Sequence, residues 1–243
     1  MAQRADLLLV ERGFFESRAK ARAAIEAGLV KVDGIALKKP SDSVQPDVQI
    51  EAQAAHPWVS RAGLKLVGGL DAFDVAPSER ICLDVGSSTG GFTQVLLSRG
   101  AQLVYAVDVG RDQLHHSLRG DARVVGMEAT DARQLTRALI PQAPSLVVCD
   151  ASFISLKLVL VAALTLAADK ADLIALIKPQ FEAGPARVKK GIVRDALVHD
   201  EVCGDIRAFI QSQGWSVHGI VPSPIEGGDG NREFLLHATK GAS

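Results

Sequence analysis

The 243-residue chain lacks any apolar run long enough to cross a membrane. Its longest, Leu158 to Ala168 between Lys157 and Asp169, is about half of the ~20 residues a span needs and reads as a buried helix. At the N-terminus only Leu7 to Val10 is continuously apolar, short of the roughly 7–15 residues of a signal peptide's hydrophobic stretch. Cysteine is scarce as well. Cys82, Cys149 and Cys203 are odd in number, widely spaced and flanked by apolar residues, which excludes a disulfide scaffold, offers no metal-ligand spacing, and suits reduced core thiols in a cytoplasmic protein. Net charge is nearly absent: 27 basic against 28 acidic side chains leave −1, so the chain is not basic all over, as an indiscriminate nucleic-acid binder would be. Repeats and low-complexity tracts are missing too. With 47% hydrophobic and 23% charged residues, what remains is an ordinary globular composition, enough for one large domain or one medium and one small.

The charge that is present is unevenly placed. Residues 1–39 hold eight basic and five acidic side chains, and Ala183 to Arg194 holds Arg187, Lys189, Lys190 and Arg194 with no acid. Two basic islands in a neutral chain suit a partner that touches two places, or simply two solvated faces.

Turn chemistry at Lys39-Pro40-Ser41-Asp42, Pro46-Asp47 and Gln53 to Pro57 marks a boundary near residues 40–60. Before it, Arg4 to Glu11 reads as a short helix with Leu7, Leu8 and Val10 inward, and Ser17 as the N-cap of a second helix stopping at Gly28. Leu29 to Val32 and Ile35 to Leu37 form a hairpin about Asp33-Gly34, and Val48 to Ile50 a last short strand. Beyond residue 80 strands alternate with loops and helices: Ile81–Val85, Leu103–Val107, Val124–Met127, Leu146–Cys149, Leu173–Ile177, Ser216–Val221 and Glu233–Ala238. Helices between the first six predict a mostly parallel sheet covered on both faces. The last two, joined only through Glu226 to Asn231, should pair antiparallel.

In such a sheet ligands bind beyond the carboxyl ends of the strands. Asp84, Asp108, Asp131, Asp150 and Lys178 fall there. The first strand runs into Gly86-Ser87-Ser88-Thr89-Gly90-Gly91-Phe92, where Gly86 allows a tight turn and Gly90 and Gly91 let backbone approach a ligand and open a helix. Ser88 replaces the second glycine of a dinucleotide fingerprint, the one that admits a pyrophosphate, which counts against a dehydrogenase. Asp84 suits a ligand's amino group, and Asp108, 24 residues later, a ribose. An adenosine joined to an amino acid without pyrophosphate describes S-adenosylmethionine. Asp150 and Lys178, from neighbouring strand ends, can meet across the cleft, while lone residues such as Lys65 and Glu233 are more often surface charges than functional groups.

These residues resemble a known family. Asp84-Val85-Gly86 to Gly91-Phe92, Asp150, Lys178-Pro179 and Glu233 are similar to the FtsJ-like ribose methyltransferases. The whole chain resembles the TlyA (haemolysin A) family through Arg4-Ala5-Asp6, Ser17 to Ala21, Ile25 to Gly28, Val30 to Gly34, Ser60 to Leu66, Cys149 to Ser155 and Ile177 to Glu182. The resemblance implies an α/β, Rossmann-like S-adenosylmethionine-dependent methyltransferase fold with a seven-stranded sheet in residues 65–243. It implies a small α+β RNA-binding domain in 1–56 and a linker in 57–64. It further implies 2′-O-methylation of cytidine ribose in ribosomal RNA, within ribosomal subunits, by the tetrad Lys65, Asp150, Lys178 and Glu233. The cofactor would lie on Asp84, Gly86, Ser87, Ser88, Gly90, Gly91, Phe92, Asp108 and Asp131. Arg4, Arg18, Lys20, Arg22, Lys31 and Arg61 are expected on RNA phosphates, which position without reading sequence, with no metal. Asp33 stands where the RNA-binding domain usually has Asn. Trp58 would stack on a base or pack as an anchor. A catalytically silent ribosome-assembly factor would show a lost tetrad or cofactor loop. A cytolysin would show a span, a signal or a basic amphipathic helix. The sequence shows none of these, and oligomeric state is left open.

Overall fold

A computed structural model describes residues 2–241. The chain folds as two compact units, Met1–Pro57 and Trp58–Ser243. The first contains β1 (Gln3–Arg4), α1 (Ala5–Glu11), α2 (Arg18–Glu26), β2 (Val30–Val32), β3 (Ile35–Ala36), β4 (Ser43–Val44) and β5 (Ile50–Ala52). Ser17 caps α2 by accepting from the Lys20 N–H at 3.3 Å, satisfying one of the first-turn donors that have no partner inside a helix. Gly28, at φ 72, ends the helical run. Asp33 and Gly34, at φ 49 and 78, make the two-residue turn between β2 and β3, so the aspartate serves where asparagine is usual.

Two local expectations change. Ala5, Leu8 and Leu9 are the buried apolar residues of α1, and Leu7 is exposed. Three consecutive leucines offer more than one face, and the spacing i, i+3, i+4 from Ala5 selects Leu8 and Leu9. The strand expected at 48–50 lies at Ile50–Ala52, paired antiparallel with β2.

The second unit begins ahead of its sheet. Residues 57–64, expected as a linker, are mostly built into it. The Val59 N–H donates to Gln94 Oε1 at 2.6 Å, and α3 (Ala62–Phe73) has already started. Trp58 packs over Gly63 so closely that a Cβ there would overlap its ring. The elements that follow are β6 (Ile81–Val85), α4 (Gly91–Ser98), β7 (Leu103–Val107), α5 (His116–Arg119), β8 (Val124–Met127), β9 (Leu146–Cys149), α6 (Leu156–Leu166), β10 (Ala171–Ile177), α7 (Pro179–Glu182), α8 (Ala196–Ser212), β11 (Ser216–Pro222) and β12 (Phe234–Lys240).

The seven strands lie in the order β11-β12-β10-β9-β6-β7-β8. All are parallel except β12, which inserts antiparallel between β10 and β11. Side chains alternate across the sheet. Cys82, Val104, Val148, Ile174 and Leu235 meet Leu66 and Leu70 of α3 and Phe92 and Leu96 of α4 on one face. Leu83, Val147, Leu173 and Leu236 meet Leu160 and Leu164 of α6 and Ile206 and Ile210 of α8 on the other. Sheet order reverses at β6, whose neighbours are β7 and β9, and this places a crevice at its carboxyl end. All three cysteines are free; burial pushes the Cys82 and Cys149 thiols up to about 12. Among the described residues no helix is long and apolar enough to cross a membrane.

Candidate active site

A cleft of about 620 Å³ opens at that crevice, within the range of small-molecule and cofactor sites. Lys65, Asp150, Lys178 and Glu233 all line it. They reach it from four elements: the second turn of α3, the residue after β9, the residue after β10 and the residue before β12. The four form two ion pairs. Lys65 Nζ lies 2.6 Å from Glu233 Oε2, with both side chains nearly excluded from water. Lys178 Nζ lies 2.7 Å from Asp150 Oδ1. That approach is off hydrogen-bond geometry, leaving Oδ1 without a directed donor. The directed bonds of the Lys178 amine go to Ser152 Oγ at 2.7 Å and the Asp150 carbonyl at 3.3 Å. Gln180 Nε2 adds a bond to Glu233 Oε1 at 3.4 Å. Four charges at such low exposure persist only as mutually compensated pairs, because a lone buried charge costs several kcal/mol.

The opposite wall is the loop between β6 and α4. Gly86, Ser87, Ser88, Thr89, Gly91 and Phe92 line the cleft. Gly86 is required: its φ is 83, and a Cβ would stand 2.9 Å from the Ala151 backbone. A side chain at Gly90 would meet Leu118 and one at Gly91 would meet Ser60; Gly90 also holds a left-handed φ of 93, so neighbouring protein keeps both positions small as well. Ser88 holds a left-handed φ of 46, and its N–H donates to Asp108 Oδ2 at 2.8 Å. The α4 N-terminus has no side-chain cap; the Thr93 N–H is turned toward Asp84, and the N–H groups of Gly91 and Phe92 are left to an anion in the cleft.

Three aspartates expected on the cofactor do not line the cleft. Asp84 is fully buried behind the loop, where Thr93 Oγ1 donates to its Oδ2 at 2.7 Å. Burial pushes its carboxyl up to about 7, against the Thr93 hydrogen bond. Asp108 accepts the backbone N–H groups of Ser88 and Gly110. Asp131 caps a short turn and pairs with Arg133, which holds its carboxyl below the usual range. Strand-end position alone does not say which side of the sheet a carboxylate serves.

The expected RNA contacts fall into distinct groups. Arg4 and Arg18 both donate to buried Asp6, at 2.9–3.0 Å. The Arg4 hydrogen bond, chief among the causes, holds the Asp6 carboxyl at about 2. Lys20 pairs with Glu16. Arg22 and Lys31 are exposed, and Arg61 stands exposed on the rim of the cleft. The sequence reading missed Ser152, Gln180 and an aromatic pair, Phe153 and Phe181, with ring centroids 5.0 Å apart. Phe153 is 90% exposed at φ 64, an unusual position for a bulky residue. An apolar residue beside the strand-end Asp150 was the available signal.

The sequence of the second unit matches the FtsJ-like methyltransferase family over residues 58–240, and that of the first matches the S4 domain over residues 3–50. A 16S/23S rRNA (cytidine-2′-O)-methyltransferase TlyA of Mycobacterium tuberculosis is 45% identical over 241 residues, covering 97% of this chain and 90% of that one. This chain belongs to the TlyA family. Hemolysin A of Brachyspira hyodysenteriae is 37% identical, with 96% of this chain and 98% of that protein aligned. A solved structure, described as a hemolysin of Streptococcus thermophilus, superposes with a TM-score of 0.79 at 41% identity, covering all of this chain and 90% of that one. TlyA-family methyltransferases use S-adenosylmethionine, and the cleft fits that molecule: an uncapped helix N-terminus for its carboxylate, a glycine-turned loop, and facing ion pairs.

Proposed function

We propose that this chain methylates the 2′-oxygen of a cytidine in ribosomal RNA. The observation that carries the reading is the convergence of Lys65–Glu233 and Lys178–Asp150 on one cleft, facing the glycine loop. When bound, S-adenosylmethionine supplies an electrophilic methyl; Gly86, Ser87, Ser88, Gly91 and Phe92 would hold it. The substrate ribose then lies on the opposite wall. A hydroxyl is a poor nucleophile near neutral pH, so the chain must place its oxygen about 3–3.5 Å from the methyl carbon and take its proton. Lys178 does the placing: Ser152 and Asp150 fix its amine. Lys178 also takes the proton. Held by Asp150 and Ser152 and acting as the uncharged amine, it would accept the proton shed by the hydroxyl as the new C–O bond forms and the methyl carbon's bond to sulfur breaks, and would return it to solvent afterwards. Glu233 holds Lys65 against the same region, and Phe153 with Phe181 offers an apolar face on which the target base can stack. Arg4, Arg18, Lys20, Arg22, Lys31 and Arg61 supply phosphate contacts that position the RNA.

The test is transfer of labelled methyl from S-adenosylmethionine to purified small and large ribosomal subunits, comparing the parent with Lys178→Ala. Label in RNA that protects one linkage from alkaline hydrolysis, and is lost in Lys178→Ala with cofactor affinity retained, is the expected result. Label on a base, or undiminished turnover by Lys178→Ala, overturns the reading.

A further inference from the structure

The second basic island has no part in the site described so far. After α7 the chain passes Gly184, makes one short turn at Pro185–Arg187 and reverses at Lys190-Gly191. Those two residues have φ of 52 and 79, and Lys189 and Ile192 exchange backbone hydrogen bonds of 3.0 and 3.1 Å across them. This is a tight hairpin turn, whose first position favours Asn, Asp or Gly; here a lysine is held at the tip.

The hairpin is tied down from inside. Asn231, 3% exposed, accepts the Val193 N–H at 3.3 Å and donates to the Gly191 carbonyl at 2.9 Å. His199 Nε2 lies 3.0 Å from the Val193 carbonyl. On its inner side Val188 and Gly191 form part of the cleft wall. On its outer side Arg187, Lys189, Lys190 and Arg194 are all exposed. Arg187 pairs with Glu201. Lys189, Lys190 and Arg194 make no ion pair among the described residues, whereas most other basic side chains near this cleft are spoken for by a carboxylate. Unpaired cations on a tethered rim, Lys189 and Lys190 next to the cleft-lining Val188 and Gly191 and Arg194 three residues beyond, are placed for a polyanion that enters the cleft and leaves across it.

We propose that this hairpin is a phosphate-binding rim, on which Lys189, Lys190 and Arg194 grip the RNA backbone beside the target nucleotide. The proposal rests on the RNA reading above and adds a second contact surface to it, in the catalytic unit itself. Phosphates flank every ribose, so a strand that seats one ribose between the ion pairs carries its neighbouring charges over the adjoining rim. Such contacts set position and register without reading bases.

The experiment compares the full chain with Lys189→Ala/Lys190→Ala/Arg194→Ala, measuring affinity for naked 16S and 23S ribosomal RNA and for purified subunits across a salt series. Each phosphate contact contributes about 0.7 to the slope of log affinity against log salt on single-stranded RNA, so the triple variant should show a slope shallower by about 2. Methyl transfer at limiting RNA should fall at least tenfold, with S-adenosylmethionine affinity and melting temperature retained. A steep parental slope left unchanged in the triple variant makes the hairpin a solvated face and overturns the proposal. Weakened binding to subunits but not to naked RNA assigns the rim to a ribosomal protein and overturns it as well. A parent that neither binds RNA in a salt-dependent way nor methylates it fails at the RNA reading, and the rim falls with it.

Discussion

The Lys65–Glu233 pair joins two residues 168 positions apart, with side chains 8% and 2% exposed. Glu233→Gln keeps the shape and removes one charge, leaving the Lys65 ammonium buried without a counter-ion. Breaking a buried pair from one side costs about 3–5 kcal/mol, which for a body of this size is a fall of roughly 6–20 °C in melting temperature. Lys65→Met strands the opposite charge and should cost a similar amount. The double variant buries neither charge, so its loss should fall short of the two singles' sum by about 3 kcal/mol, the signature of a direct contact. Tryptophan fluorescence isolates the relevant unit, because Trp58 and Trp215 are the chain's only tryptophans and both lie in Trp58–Ser243. All three variants should lose methyl transfer. Additive singles, with coupling below about 0.5 kcal/mol, would mean that water screens the pair, and would refute both the burial argument and the use of Glu233 to fix Lys65.

Asp84 gives the chain a stability that falls as pH rises. Its folded carboxyl titrates at about 7 against an ordinary 3.8, so the folded state binds the proton more tightly, and stability is full below about 4 and lost progressively up to about 7. At 1.36 kcal/mol per unit the ceiling is about 4 kcal/mol; Asp84→Asn should therefore melt higher relative to the parent at pH 8 than at pH 5, and an equal difference at both would contradict burial as the cause. Phe153→Ala removes an exposed ring and should leave stability within about 0.5 kcal/mol. Its methyl transfer should fall about 5- to 150-fold, from the 1–3 kcal/mol typical of base stacking, with cofactor affinity unchanged; full activity in this variant would remove the aromatic platform.

The catalytic fold was legible because its strands are short apolar runs bounded by turn residues. Ile81–Val85, Leu103–Val107, Val124–Met127 and Leu146–Cys149 form with the boundaries that pattern predicts. The tetrad was legible only with the family resemblance, since nothing local at Lys65 announces that Glu233 will reach it. Pairs such as Gln3–Arg4 with Ser43–Val44 were invisible, being two residues long and set by contacts distant in sequence. The three aspartates show the same limit. Asp84, Asp108 and Asp131 sit at strand ends as expected, and each is also held within the chain, by Thr93, by the N–H groups of Ser88 and Gly110, and by Arg133. Whether a strand-end carboxylate faces ligand or braces a loop is decided by three-dimensional partners that periodicity does not reveal.

The position of β12 makes it the closing piece of the sheet. It pairs along its whole length with β10 on one side and over residues 234–239 with β11 on the other, so without it two inner edges of the sheet stand open. Such unpaired edges invite mispairing with other chains. The same strand carries Glu233 at its start, adjoining Asn231 and the hairpin it restrains. Closing the sheet and pairing Lys65 with Glu233 therefore depend on the same segment. A chain arrested before β12 inserts has its glycine loop, Asp150 and Lys178 within the parallel portion but leaves Lys65 unopposed. On the proposed reading, a copy in which β12 is not seated lacks the Lys65–Glu233 pair and should not transfer methyl.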